Sequence, residues 1–138
     1  MSGQTTGGVR WMLRTEGLCV LLAALLFYPT LGFGWSTFAW FFLLPDLSLL
    51  GYLAGPKVGA VLYNAAHSYV GAMACLAGGA VFALPVLSCA GVIWCAHIGF
   101  DRALGYGLKY ATAFRITHLG VIGKQAGTSD NSSFKQEA

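Results

Sequence analysis

From Val58 to Phe100 the chain reads VGAVLYNAAHSYVGAMACLAGGAVFALPVLSCAGVIWCAHIGF, 43 residues without a single Asp, Glu, Lys or Arg. A helix needs about 20 apolar residues to cross a bilayer core, so this stretch has room for two spans. The preceding segment, Gly17 to Pro56, contains one charged residue, Asp46, and has room for two more. The apolar runs are continuous rather than alternating. In lipid only helices and closed barrels satisfy their backbone groups, and continuous runs select helices. The expected fold is therefore all-α, an integral membrane bundle of about four transmembrane helices.

Composition agrees. The 138 residues are 57% hydrophobic and 9% charged, against roughly 25% charged in soluble domains. That leaves too little polar surface for a soluble globule and length for one domain only. The expected division is a cytoplasmic N-terminal segment at 1–13, a four-helix transmembrane domain at 14–121 and a polar, disordered tail at 122–138. The spans fall at about Arg14–Tyr28, Trp35–Ala54, Val58–Leu84 and Pro85–Gly105. Pro29 with Gly32–Phe33–Gly34, and Gly55–Pro56, mark the first two turns. A Val58–Leu84 helix would be about 40 Å long, so it must tilt or break near Gly71 or Gly78. Arg10 and Arg14 precede Leu18–Phe27 in the manner of a signal peptide. Tyr28–Pro29–Thr30 follows where a small-x-small cleavage site would stand, so the segment is read as a retained span.

The basic residues orient the bundle. Arg10 and Arg14 precede span 1, Lys57 lies between spans 2 and 3, and Arg102, Lys109, Arg115 and Lys124 end or follow span 4. The loops near residues 29–34 and 82–86 carry none. The positive-inside rule then places both termini and the Lys57 loop in the cytoplasm, in a bacterial inner membrane, with the lipid bilayer as the partner. The net charge of +3 follows from this bias. No basic run with interleaved aromatics marks a nucleic-acid surface. Cys19, Cys75, Cys89 and Cys95 have neither metal-finger nor redox spacing and read as small buried residues. Trp35, Trp40, Phe41, Phe42, Tyr106 and Tyr110 read as interfacial belts.

Ionisable residues inside spans are costly, and so they are the functional candidates. His97 and Asp101, four apart, share one helix face, a spacing that suits two ligands of one metal or a histidine oriented by a carboxylate. The competing arrangement pairs Asp101 with Arg102 or Lys109 and leaves His97 bonded to a neighbouring backbone. Asp46 follows Pro45, which distorts the helix; alternatively span 2 ends at Leu44 and Asp46 caps an amphipathic helix, Leu47–Ala54. His67 lies about 15 Å into span 3, with Asn64 on the same face and Tyr63 one turn away. On the expected topology Asp46, His67, His97 and Asp101 share the cytoplasmic half of the bundle. They form a candidate ligand set for zinc, iron or manganese. Glu16, at the start of span 1, is either an interfacial acid or a relay carboxylate.

The stretches Leu44–Tyr52, Tyr63–His67 and Ala96–Tyr110, with Thr117–His118–Leu119–Gly120, resemble the family of small bacterial membrane proteins known as domain of unknown function 4260, over about residues 10–121. The resemblance implies the kind of protein and no activity. A further likeness, in the order Pro-Asp, His, His-x-x-x-Asp, is to inner-membrane metal-dependent hydrolases. It implies Asp46, His67, His97 and Asp101 as ligands. Ala66–His67–Ser68 stands where that group carries a Thr-His-Ser type motif after His-Arg-Gly, a departure that removes potential ligands for a second metal. Three functions follow as expectations. The first is a metal-dependent membrane hydrolase acting on a lipid or phosphoester, with Asp101 or Glu16 as base. The second is a non-enzymatic proton relay or structural bundle. The third is a haem protein using His67 and His97 as axial ligands.

Overall fold

The computed structural model describes residues 7–109 and 116–122. Five α-helices carry the fold: α1 (Gly7–Phe27), α2 (Trp35–Phe42), α3 (Pro56–His67), α4 (Tyr69–Val81) and α5 (Pro85–Leu104). The all-α expectation holds for the helical body. One short antiparallel pair, β1 (Ile116–Thr117) with β2 (Gly120–Val121), is added after it, and Lys109 bridges to Thr117 beside that pair.

Where the apolar runs break follows from local chemistry. After α1 a 3-10 turn, Tyr28–Leu31, closes on Gly32. The helix α2 stops at Phe42 because Leu44 precedes Pro45, and a residue before proline is driven out of the α region. Leu44–Ala54 then runs on as a 3-10 helix, eleven residues long, well beyond the usual three or four. The second expected span, Trp35–Ala54, is thus broken at the proline. Pro56 and Pro85 each start a helix, where the missing N–H costs nothing. At the end of α5 Gly105 takes a left-handed φ of 93°. Its N–H bonds to the Arg102 carbonyl (3.0 Å), and that of Tyr106 to the Asp101 carbonyl (2.8 Å). This is the double closure of a Schellman motif.

The expected single helix Val58–Leu84 is two helices. The break comes at Ser68, extended at φ −95°, ψ 150°, and not at Gly71 or Gly78. At about 1.5 Å per residue, α3 and α4 are each shorter than a bilayer core. By length and composition two segments among the described residues could cross one, Gly7–Leu31 and Trp35–Ala54. That is fewer than the four expected. The helix α5 has the length, with 20 residues, but its last two turns carry His97, Asp101 and Arg102.

The central element is α5, buried from Val92 through Gly99 except at Trp94. It packs on α1 and on α4 through small residues that let backbones approach. A side chain on Gly17 would collide with Arg102 Cβ and the Gly99 carbonyl, and one on Gly79 with Ser88. The core is formed by Ala24, Tyr28, Cys89, Val92, Ile93 and Ala96. Arg14 Nε donates to the Ala103 carbonyl (2.9 Å) and ties α1 to the same end of α5.

Candidate metal centre

Four residues from three elements converge at that end. Asp46 is turned inward by the 3-10 helix that Pro45 forces. His67 is the last residue of α3, and His97 and Asp101 stand one turn apart on α5. His67 Nε2 lies 3.0 Å from His97 Nε2, 3.4 Å from Asp46 Oδ1 and 3.3 Å from Asp101 Oδ2. His97 Nε2 lies 3.4 Å from each carboxylate oxygen. All four donor atoms fall within 4.8 Å of one another. Both histidines are buried, at 2% and 1% exposed, whereas the side chain of Asp46 is 42% exposed and that of Asp101 16%.

The surroundings aim these atoms. His67 Nδ1 is 3.0 Å from the Tyr63 carbonyl. A carbonyl only accepts, so Nδ1 carries the proton and the Nε2 lone pair faces the cluster. The Tyr63 ring stacks on the His67 ring at 3.8 Å, and Phe42 meets the His97 ring edge-on at 5.3 Å. Two donors on α5 cap the end of α3. Trp94 Nε1 donates to the Ala66 carbonyl, and Arg102 Nη2 to the His67 carbonyl (3.0 Å). These carbonyls have no partner within their own helix, so α5 both ends α3 at His67 and sets where its imidazole stands.

A further layer comes from the chain beyond α5. Asn64 Nδ2 donates to the Lys109 carbonyl (2.8 Å) and Asn64 Oδ1 accepts from the Lys109 N–H (2.7 Å). The buried Lys109 ammonium lies over the Tyr63 ring at 4.6 Å. Burial brings its pKa down to about 8, against the opposing pull of Asp101 and Asp46. His118 Nδ1 accepts the Leu108 N–H at 2.8 Å; burial, with the Arg102 charge, lowers its pKa.

The chemistry of the donor set decides what it fits. Carboxylates and the bare Nε2 of His67 are all acceptors, and acceptors crowded together need shared protons or a cation. Five of the six separations between the donor atoms are 3.0–3.4 Å and all lie within 4.8 Å, the scale of edges around a small cation bound by imidazole nitrogen and carboxylate oxygen at about 2.0–2.2 Å. The residues fit such an ion.

The expected set Asp46, His67, His97 and Asp101 is thus brought together in full. Asp101 faces both imidazoles instead of closing on a neighbouring base, and Asp46 faces the cluster rather than merely capping a helix. Glu16, expected as a second acid, is not in the group. It is an exposed residue of α1 whose charge is felt at Tyr69. The haem arrangement does not fit either, because a porphyrin plane cannot pass between nitrogens 3.0 Å apart. Trp94, and Arg102 as an orienting donor, went unnoticed in the sequence, where an indole and a guanidinium in apolar surroundings carry no mark of what they bond. Tyr110 and Arg115 lie outside the described residues.

No curated protein and no solved structure matches the chain, so the likeness to metal-dependent hydrolases has no relative behind it. A family model described as a domain of unknown function, DUF4260, matches residues 10–122, and the chain belongs to that family.

Proposed function

We propose that this chain is an integral membrane protein holding one divalent metal ion in a His2Asp2 centre, and that the centre hydrolyses an ester-type bond at the membrane. The observation that carries the metal reading is the set of five nitrogen–nitrogen and nitrogen–oxygen distances between 3.0 and 3.4 Å. The membrane reading is supported by what the helices leave uncovered. The apolar windows of Gly7–Leu31 and Trp35–Ala54 are 17% and 0% buried, unlike the mostly buried core helix of a soluble protein. Trp40, Leu26, Leu53 and Val70 are among many large apolar side chains facing outward, far more than a soluble monomer exposes.

Hydrolysis is favoured by the inequality of the ligands. His67 and His97 are buried on helices and Asp101 is only 16% exposed. Asp46 is half-exposed on a 3-10 segment next to a proline, and is the ligand best placed to yield its position to water. Three protein ligands with one open position is the pattern of catalytic rather than structural sites. A bound divalent ion would bring a water's pKa to about 7, and the released Asp46 carboxylate, or the second oxygen of Asp101, would take its proton.

The test is the metal content of detergent-purified protein, wild type against His67→Ala/His97→Ala. About one zinc, manganese or iron per wild-type chain, lost from a folded double variant, is the expected result. Metal-free wild type after purification without chelator would overturn the reading and leave a proton-sharing cluster.

A further inference from the structure

A groove of about 420 Å³ lies between α2, α4 and α5. No charged residue lines it. Its mouth is formed by Phe41, Leu44 and Val86, all exposed on the outer apolar surface, and its floor by the buried Cys89 and Ile93.

The groove adjoins the His/Asp cluster through three separate links. Pro45, in its wall, precedes Asp46 directly in the chain. Ile93, in its floor, is one helical turn before His97 on α5. Trp94, also in its wall, donates its indole N–H to the carbonyl of Ala66, the residue before His67. Asp46 is thus one covalent step from a groove wall, His97 one helical turn, and His67 one hydrogen bond and one peptide link.

We infer that this groove is the hydrocarbon-chain subsite of the metal centre, and that the substrate is a lipid of the surrounding bilayer. The inference rests on the metal-centre reading proposed above. An uncharged cleft takes an apolar chain and rejects a headgroup, which must pay to lose its water. The mouth opens where α2 and α5 present bare Phe41, Leu44 and Val86, so the chain enters sideways from lipid and not from water. Pro45, Ile93 and Trp94 are the lining residues that lead from the groove toward the imidazoles and carboxylates. A lipid held this way lays its chain along Cys89 and Ile93 and brings its ester or headgroup to the four ligands. An apolar pocket with polar groups converging at one end is the usual form of a small-ligand site.

The test uses the full chain in phosphatidylglycerol vesicles containing a fraction of the same lipid with a diazirine in one acyl chain. Crosslinks are mapped by mass spectrometry, and metal content is measured on the same samples. In wild type, crosslinks should concentrate on Cys89, Ile93 and Trp94 over the lipid-facing Leu22 and Leu26 of α1. Ala90→Trp, which fills the mouth from α5, should keep its metal and lose groove crosslinking about tenfold. His67→Ala/His97→Ala should lose metal and also reduce groove crosslinking, because the headgroup loses its anchor. Metal-loaded protein labelled no more in the groove than at Leu22 and Leu26, or equally with and without metal, would overturn the subsite while leaving the metal centre standing. Metal-free wild type with a labelled groove would overturn the metal centre, and with it the assignment of the groove to a substrate.

Discussion

The Nε2 atoms of His67 and His97 lie 3.0 Å apart although thirty positions separate the two residues in the chain. Two imidazoles meet this way only if one lends a proton to the other or both lend lone pairs to a third atom. His67 has already committed its proton to the Tyr63 carbonyl, so a proton shared between the rings would have to come from His97. The two carboxylates at 3.3–3.4 Å have only lone pairs to offer. A cation satisfies all four groups at once, and its removal should be felt by each of them.

Single ligand substitutions should therefore differ in severity. His97→Ala and Asp101→Ala, which empty positions on the central helix, should lower metal affinity by well over the 10–100-fold typical of outer-shell changes. Asp46→Asn should retain more metal than either, because the half-exposed position can be taken by water. Equilibrium dialysis against a competing chelator measures the order; Asp46→Asn as the weakest binder of the three would contradict it.

Trp94→Phe removes the indole N–H that caps the Ala66 carbonyl, and Arg102→Met removes the donor to the His67 carbonyl. Each should cost about 1–3 kcal/mol of stability. Together they should weaken metal binding about 10–100-fold without touching a ligand. Unchanged affinity in the folded double variant would show that α5 does not position His67.

Ala83 holds a left-handed φ of 50°, the one described non-glycine residue with positive φ, and the Leu84 N–H closes on the Gly79 carbonyl behind it (2.9 Å). A Cβ in that conformation costs about 1–2 kcal/mol. Ala83→Gly should raise the unfolding temperature in detergent by several degrees. A lower midpoint would mean that the turn is held for other reasons.

In the metal-free protein Lys109 should titrate near 8, well below the ordinary lysine value of 10.5. Its amine should acylate with a midpoint near pH 8, and Asn64→Ala, which frees the backbone clamp, should move that midpoint up toward 10.5. The sign for stability follows. The folded state binds its proton less tightly than the unfolded chain, so the penalty is complete below pH 8 and is relieved as pH rises from about 8 to 10.5. A midpoint at 10 or above in wild type would place the ammonium in solvent.

The helical content and the pair His97–Asp101 could be read directly, because both depend on local periodicity. Pro85 and Gly105 bracket α5 as start and stop signals do, and a spacing of four puts two side chains on one face whatever surrounds the helix. Pro45 likewise announced a distortion, and it lies within a few residues of where α2 ends. His67 shows where such reading stops. Its candidacy was visible as a lone imidazole in an apolar run, but the chain around it, Ala65–Ala66–His67–Ser68–Tyr69, holds no proline or glycine to announce a helix end. The expected break was placed at Gly71 or Gly78 instead.

What the sequence by itself determined is thus the apolar, helical character of the chain, the ends of its last helix and the identity of the residues able to carry chemistry. The tertiary structure alone decided that α3 stops at His67, that Asp46 turns inward, that Glu16 stands apart and that four donors meet within 4.8 Å. The physical reason is that helix ends need donors for their last carbonyls. Here Trp94 and Arg102 supply them from α5, about thirty positions further along the chain, where no local pattern can reach.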